Sequence, residues 1–171
     1  NSLTLEKLKE RILSLKNIYN KKSDQLVFSD GNSESKVMLI GDSPGISDEI
    51  NGKPFSEDAG LLLDKMLGAI SLDRNKVYLT NVVNFRLPDN RKLSENDIVN
   101  FQPLILDHIK IINPKLIMIL GSAALKTLFN EQQSITKIRG KWLKLRINNY
   151  TYSCMSSYHP NFLIRQPSQK K

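Results

Sequence analysis

The sequence predicts an α/β fold, a three-layer α/β/α sandwich around a central, mostly parallel sheet of four to five strands. Two observations carry this. Short apolar runs of strand length alternate along the chain with segments of helical period. Such alternation implies parallel strands with helices on both faces. The second observation sets the scale: 171 residues suit one domain, spanning 1–171.

The elements follow in order. Thr4–Leu15 carries Leu5, Leu8, Ile12 and Leu15 at steps of three or four, an amphipathic helix capped near Ser2 or Thr4. A polar, turn-rich stretch follows, with a short extended piece at Leu26-Val27-Phe28. Lys36–Ile40 reads as a buried strand ending at Gly41-Asp42-Ser43-Pro44-Gly45, where Pro44 rules out a helix interior. A polar excursion runs to Gly60, and a helix then carries Leu61, Leu62, Leu63, Met66, Leu67 and Ile70. Val77–Val83 is the second buried strand, and Arg86 to Lys92 is a loop. Ser94 caps a long helix with Asp97 in its first turn, running through Ile112 to a stop at Pro114. Lys115–Leu120 is the third strand, and Gly121-Ser122 turns directly into a helix over Ala123–Phe129. Residues 141–146 and 150–155 read as further strands, and Asn161–Arg165 as the start of a last helix. Right-handed crossovers place the loops after the buried strands along one sheet edge, where ligands of such sheets bind. Those loops begin near Gly41, Asn81 and Gly121.

The net charge of +8 is unevenly spread. Residues 137–171 hold Lys137, Arg139, Lys141, Lys144, Arg146, Arg165, Lys170 and Lys171 and no acidic residue, whereas basic and acidic side chains balance before them. A polyanionic partner at the C-terminal third is the natural expectation. The single cysteine, Cys154, excludes an internal disulfide and fits a reducing compartment, with the cytoplasm, and the bacterial cytosol in particular, the expected location. No apolar run reaches the roughly 18–20 residues of a membrane span, so no membrane partner is expected.

Several residues stand out chemically, each with a plain alternative. Gly41–Gly45 brackets a carboxylate and a hydroxyl with glycines; it is either a tight turn or a loop for close ligand approach. It matches neither the dinucleotide fingerprint nor the phosphate-binding P-loop. Phe55, in Asn51-Gly52-Lys53-Pro54-Phe55, is a loop plug or a stacking surface for a planar ligand. Asn81 sits in an apolar strand and either satisfies backbone groups or reads a base edge. Gly121-Ser122 is a plain helix start or a set of amides for an anion. His159 lies at a strand-to-helix junction in the acid-free segment, while His108, mid-helix beside Asp107, is expected on a solvated face. Trp142, in Arg139-Gly140-Lys141-Trp142, is expected in the core.

In this order the motifs resemble family 4 uracil-DNA glycosylases. The resemblance rests on Gly-Asp-Ser-Pro-Gly at 41–45, Gly52-Lys-Pro-Phe-Ser-Glu-Asp-Ala-Gly60, Thr80-Asn-Val-Val-Asn-Phe-Arg-Leu-Pro-Asp-Asn-Arg91, the Pro-Lys-strand-Leu-Gly of 114–121, Arg139-Gly-Lys-Trp142 and His159-Pro-Asn-Phe-Leu-Ile-Arg-Gln-Pro167. It implies hydrolysis of the N-glycosidic bond of a flipped-out deoxyuridine in DNA, as in base-excision repair, by a monomer acting on single- or double-stranded DNA. Asp42 and His159 are the implied catalytic residues, and Asp42, Ser43, Phe55, Asn81 and His159 the implied base-binding set. Gly121, Ser122, Arg139, Lys141, Tyr158, Phe162 and Arg165 are the implied DNA contacts.

Three departures qualify the match. The family's four iron–sulfur cysteines fall near Ser14 and Asn17 and at Phe85 and Phe101, none of which can supply a thiolate. No cluster, other metal or organic cofactor is therefore expected. Asp42 replaces the family's Glu, one methylene longer, and the sequence after Arg165-Gln-Pro167 is shorter than the family's final helix. These leave open a weakened or inactive glycosylase-like module that binds DNA, or, from the fold alone, another kind of nucleotide-binding protein.

Overall fold

A computed structural model describes residues 3–129 and 142–156. Helix α1 (Leu5–Leu13) is capped by Thr4, whose hydroxyl accepts from the Lys7 amide at 3.1 Å. Strands β1 (Asp30–Gly31) and β2 (Val37–Gly41) follow. Helices α2 (Ile46–Asn51) and α3 (Glu57–Ala69) lead to β3 (Tyr78–Asn81). Helix α4 (Glu95–Ile112) leads to β4 (Leu116–Ile119), then α5 (Ser122–Phe129), β5 (Trp142–Ile147) and β6 (Tyr150–Ser156).

The strands form one six-stranded sheet in the order β1-β3-β2-β4-β6-β5. The inner pairings β3–β2, β2–β4 and β4–β6 are parallel, and the edge pairings β1–β3 and β5–β6 are antiparallel. The expected α/β class and mostly parallel sheet are thus present. The extra strand over the expected number is the two-residue β1, which pairs where Leu26-Val27-Phe28 does not.

Successive strand residues point to opposite faces, and the two faces have separate cores. Met38, Ile40, Tyr78, Ile117, Ile119, Tyr152 and Cys154 pack with Leu8 and Ile12 of α1, Ile105 and Ile109 of α4, and Leu125 and Leu128 of α5. Leu39, Leu79 and Leu120 pack with Phe55 and with Leu63 and Leu67 of α3. From β2 the chain therefore leaves toward one face, and from β4 toward the other. The crevice between their C-terminal ends is the switch point at which open α/β sheets bind ligands.

Local chemistry sets the boundaries. Ser94 and Asp97 close a reciprocal capping box on α4, with Asp97 amide to Ser94 Oγ at 3.2 Å and Ser94 amide to Asp97 Oδ2 at 2.8 Å. Asn113, left-handed at φ 52°, ends that helix before Pro114. The expected polar excursion before Gly60 in fact contains α2, and α3 begins at Glu57 rather than Leu61, because acidic first turns are favoured at helix N-termini however polar they look.

Two expectations are corrected. His108 is 1% exposed rather than solvated. Its Nε2 lies 2.8 Å from the Tyr78 hydroxyl, and its ring stacks on Phe28 with centroids 5.0 Å apart. It shares the inward stripe of Phe101, Ile105 and Ile112, while Asp107 faces outward to Arg11 and Lys110. Trp142 is 60% exposed rather than core. Leu145 and Ile147 take the inward face of β5, which leaves Trp142 with Lys144 and Arg146 on the other. The expected last helix at Asn161–Arg165 lies outside the described residues.

Burial pulls the His108 pKa down to about 3 from its ordinary 6.5. The unfolded chain then binds a proton that the folded state refuses, so His108's contribution to stability is whole above about pH 6.5 and is lost as pH falls toward 3. Urea unfolding of the wild type and His108→Gln at pH 7.5 and pH 5 should show the wild type losing more stability on acidification; equal losses would contradict the assignment.

Candidate active site at the carboxyl ends of the strands

The site is built where β2, β3 and β4 end together. Gly41 lies opposite Asn81 in the parallel ladder. Beyond the strands, the Val82 amide donates to the Gly41 carbonyl at 2.9 Å and the Val83 amide to the Asp42 carbonyl at 3.0 Å. These bonds carry the β2–β3 pairing one step past the sheet and fix the backbone of Asp42.

The Asp42 side chain crosses to the start of α5, where Oδ1 accepts from the Ala124 amide at 2.7 Å. The first amides of a helix have no partner within the helix, so a carboxylate there satisfies them and meets the positive end of the helix dipole. Burial pushes the Asp42 carboxyl up to about 6, with the amides of Ala124 and Ala123 pulling it back. Gly121 makes room for it: a Cβ at that position would collide with the Asp42 carboxylate. Gly121 and Ser122 thus open α5 as expected, and Ser122 is exposed, but one of the helix's N-terminal amides is already held by Asp42.

Asn81 is 2% exposed, and its Oδ1 is buried without a hydrogen-bond partner. Buried acceptors are rarely left this way. Alternation along β3 places the Asn81 side chain on the sheet face of Leu79, the face that carries Phe55.

Phe55 has left-handed backbone (φ 56°), and its ring is 2% exposed in the cluster of Leu39, Leu63, Leu67 and Leu120. Its side chain is thus packed beneath the loop rather than presented as an open platform. Two charged residues that the motif reading missed hold this loop. The Asp48 carboxylate is buried, accepting from the Gly45 amide at 3.0 Å and the Ser56 amide at 2.8 Å, and so joins the 41–45 loop to the residue after Phe55. Burial raises its pKa despite those bonds. Arg74 reaches over to donate to the Phe55 carbonyl while pairing with Asp30 at 3.0 Å and Asp64 at 3.1 Å. The signal for Asp48 was present: an acid three residues after Gly45 has capping-box spacing. Arg74 carried none, since its role depends on two loops that meet only in the fold.

The structure therefore brings Asp42, Asn81, Gly121 and the Phe55 loop to one sheet end, with Ser43 half-buried beside Asp42. Arg139, Lys141, Tyr158, His159, Phe162 and Arg165 lie outside the described residues.

A profile of the Uracil DNA glycosylase superfamily matches residues 28–171. This chain belongs to that superfamily. It is similar to the Type-4 uracil-DNA glycosylase of Saccharolobus solfataricus, at 35% identity over 83% of this chain and 68% of that protein. The Type-4 enzymes of Sulfurisphaera tokodaii (33%, over 98% of this chain and 79% of that protein) and Thermotoga maritima (32%, over 85% and 74%) are similar too.

The residues at the expected cluster positions do not fit an iron–sulfur group. Phe85 and Phe101 are fully buried rings, 6.5 Å apart between centroids, and Tyr19 stacks on Phe85 at 5.9 Å and tilts against Phe101 at 5.6 Å. The Ser14 hydroxyl donates to the Arg11 carbonyl, and Cys154 is buried in the opposite half of the sheet. No thiolate is available where such a group needs several. Tyr19 also donates to Asp97 at 2.7 Å, and Asp97 pairs with Arg91 at 2.7 Å. Burial works against the Asp97 charge, but Arg91, the Ser94 amide and Tyr19 outweigh it and hold the carboxyl below its usual range.

Asp48→Asn and Gly121→Ala should each lower unfolding free energy by about 1–3 kcal/mol, the first by turning an amide nitrogen toward a backbone N–H, the second by steric overlap with Asp42. Urea midpoints equal to wild type would remove both from the scaffold of the site.

Proposed function

We propose that this protein is a uracil-DNA glycosylase that hydrolyses the N-glycosidic bond of a deoxyuridine swung out of DNA. The observation that carries this reading is the unpartnered Oδ1 of Asn81, buried at the strand ends on the Phe55 side and across the ladder from Gly41. Uracil offers an N3–H donor and an O4 acceptor. The Asn81 amide complements both, accepting at Oδ1 and donating from Nδ2. Cytosine reverses the pattern at both atoms, so a fixed amide rejects it, a discrimination of about 1–3 kcal/mol per good bidentate contact.

Breaking the bond sends its electron pair to the uracil ring and leaves C1′ of the sugar positively charged. Water adds to C1′ and releases a proton. Groups fixed where charge develops lower such a barrier most. His159 donates to uracil O2, and the Asp42 carboxylate, ionised at neutral pH, faces the sugar cation or the attacking water. The Phe55 loop borders the base slot on the sheet face that Asn81 shares, and the backbone of Ser43 adds a donor toward the base. Gly121, Ser122, Arg139, Lys141, Tyr158, Phe162 and Arg165 hold the flanking DNA. The rings of Tyr19, Phe85 and Phe101 occupy the place of the family's cluster, and the reaction uses no cofactor.

A second reading draws on Asp42 itself. A carboxylate engaged by the Ala124 amide serves as a helix cap, which favours a glycosylase-like module that binds DNA without turnover. An oligonucleotide bearing one uracil, incubated with the protein and cleaved by alkali, separates the two, with strand scission expected. In that assay His159→Ala should lower excision by about 10²–10³-fold, and Asn81→Ala should narrow the preference for uracil over cytosine; unchanged values would displace those residues from their roles. Excision should rise with pH through about 6, as Asp42 loses its proton, and Asp42→Asn should remove that limb. Purified protein should contain no stoichiometric iron and show no visible absorption band; either one would overturn the cofactor reading.

A further inference from the structure

We propose that the outward face of the β5–β6 hairpin is a track for single-stranded DNA leading away from the excision site. This rests on the reading that the protein acts on DNA, and goes beyond it by assigning residues in the described structure to the flanking strand.

The argument starts from strand parity. On β5, Leu145 and Ile147 point into the core, which leaves Trp142, Lys144 and Arg146 together on the other face, all exposed. Same-face neighbours on a strand stand about 6–7 Å apart, so the three form a row roughly 13 Å long. Their cross-strand partners on β6 are Met155, Ser153 and Thr151, none of them acidic. Lys144 Nζ donates to Ser153 Oγ at 3.0 Å, which lays its stem along the sheet. The row is therefore an aromatic ring followed by two cations on a flat face, within a segment, 137–171, that holds no acidic residue.

Register ties the row to the site. Trp142 is level with Met155, Met118 and Leu39 across the sheet, two residues short of Gly41 and its partner Asn81. Arg146 lies toward the opposite sheet edge. A strand leaving the crevice thus meets the indole first and the cations after it. A large exposed aromatic stacks any unpaired base, and cations at regular steps follow a phosphate backbone; together they are the chemistry of sequence-independent single-strand binding. A duplex cannot offer a free base face to the indole.

Trp142 is the chain's single tryptophan, so its fluorescence reports this face alone. Titration of the wild-type protein with a uracil-free thymidine oligonucleotide should quench that emission saturably, at the same concentrations at which anisotropy of a labelled copy reports binding. Trp142→Ala should weaken binding roughly 5- to 100-fold. The double variant Lys144→Gln/Arg146→Gln should flatten the slope of log affinity against log salt by about 1.4, or 0.7 for each lost contact. Emission that stays constant while anisotropy reports saturation overturns the proposal. So does quenching that accompanies dimer formation in the absence of DNA, which would give the face to a second copy of the chain. Quenching without excision of uracil sinks the proposed reaction and leaves the track standing; excision without quenching does the reverse.

Discussion

The contact between Asp42 and the first turn of α5 is the joint on which the site depends. It closes the crevice between two strands whose connections leave toward opposite faces of the sheet. It adds a directed polar link to the apolar packing of Ile40 with Ala124 and Leu125 and to the bond from the Leu120 amide to the Ile40 carbonyl. The glycine at 121 follows from this joint, because the carboxylate occupies the volume a Cβ would need. So does the raised pKa of the acid: burial works against its charge, and the helix amides recover only part of that loss. The aspartate side chain is long enough to reach from the end of β2 to the Ala124 amide, where it caps α5.

Other buried polar groups repeat this logic around the site. Asp48 pins two loops by their amides, Asp97 gathers Tyr19, Arg91 and its own helix cap, and Glu49 pairs with both Lys21 and Arg86. Each carboxylate joins segments distant in sequence, and each has its partners supplied. Asn81 stands apart from them because its acceptor has none. Among the described residues it is the buried side-chain atom left in that state, and the proposed contact to a base rests on it.

Much of this was legible before the fold was known. Asn81 declared itself as an amide among apolar strand residues, and the glycines at 41 and 121 as the ends of buried runs. The α4 cap was written in Ser94 and Asp97. His108 and Trp142 share one lesson: residue type points each the wrong way, and periodicity points each the right way. The inward stripe of α4 includes position 108, and the parity of Lys144 and Arg146 puts position 142 outside. Arg74 and the two-residue β1 were not legible at all, since each is defined by a meeting of segments that no local pattern encodes.

The rings of Tyr19, Phe85 and Phe101 form a junction made of carbon where three separate stretches of chain converge. A junction of that kind has no oxidation state. Its cohesion comes from burial and ring contact, so it draws on the same solvent-exclusion that holds the rest of the core.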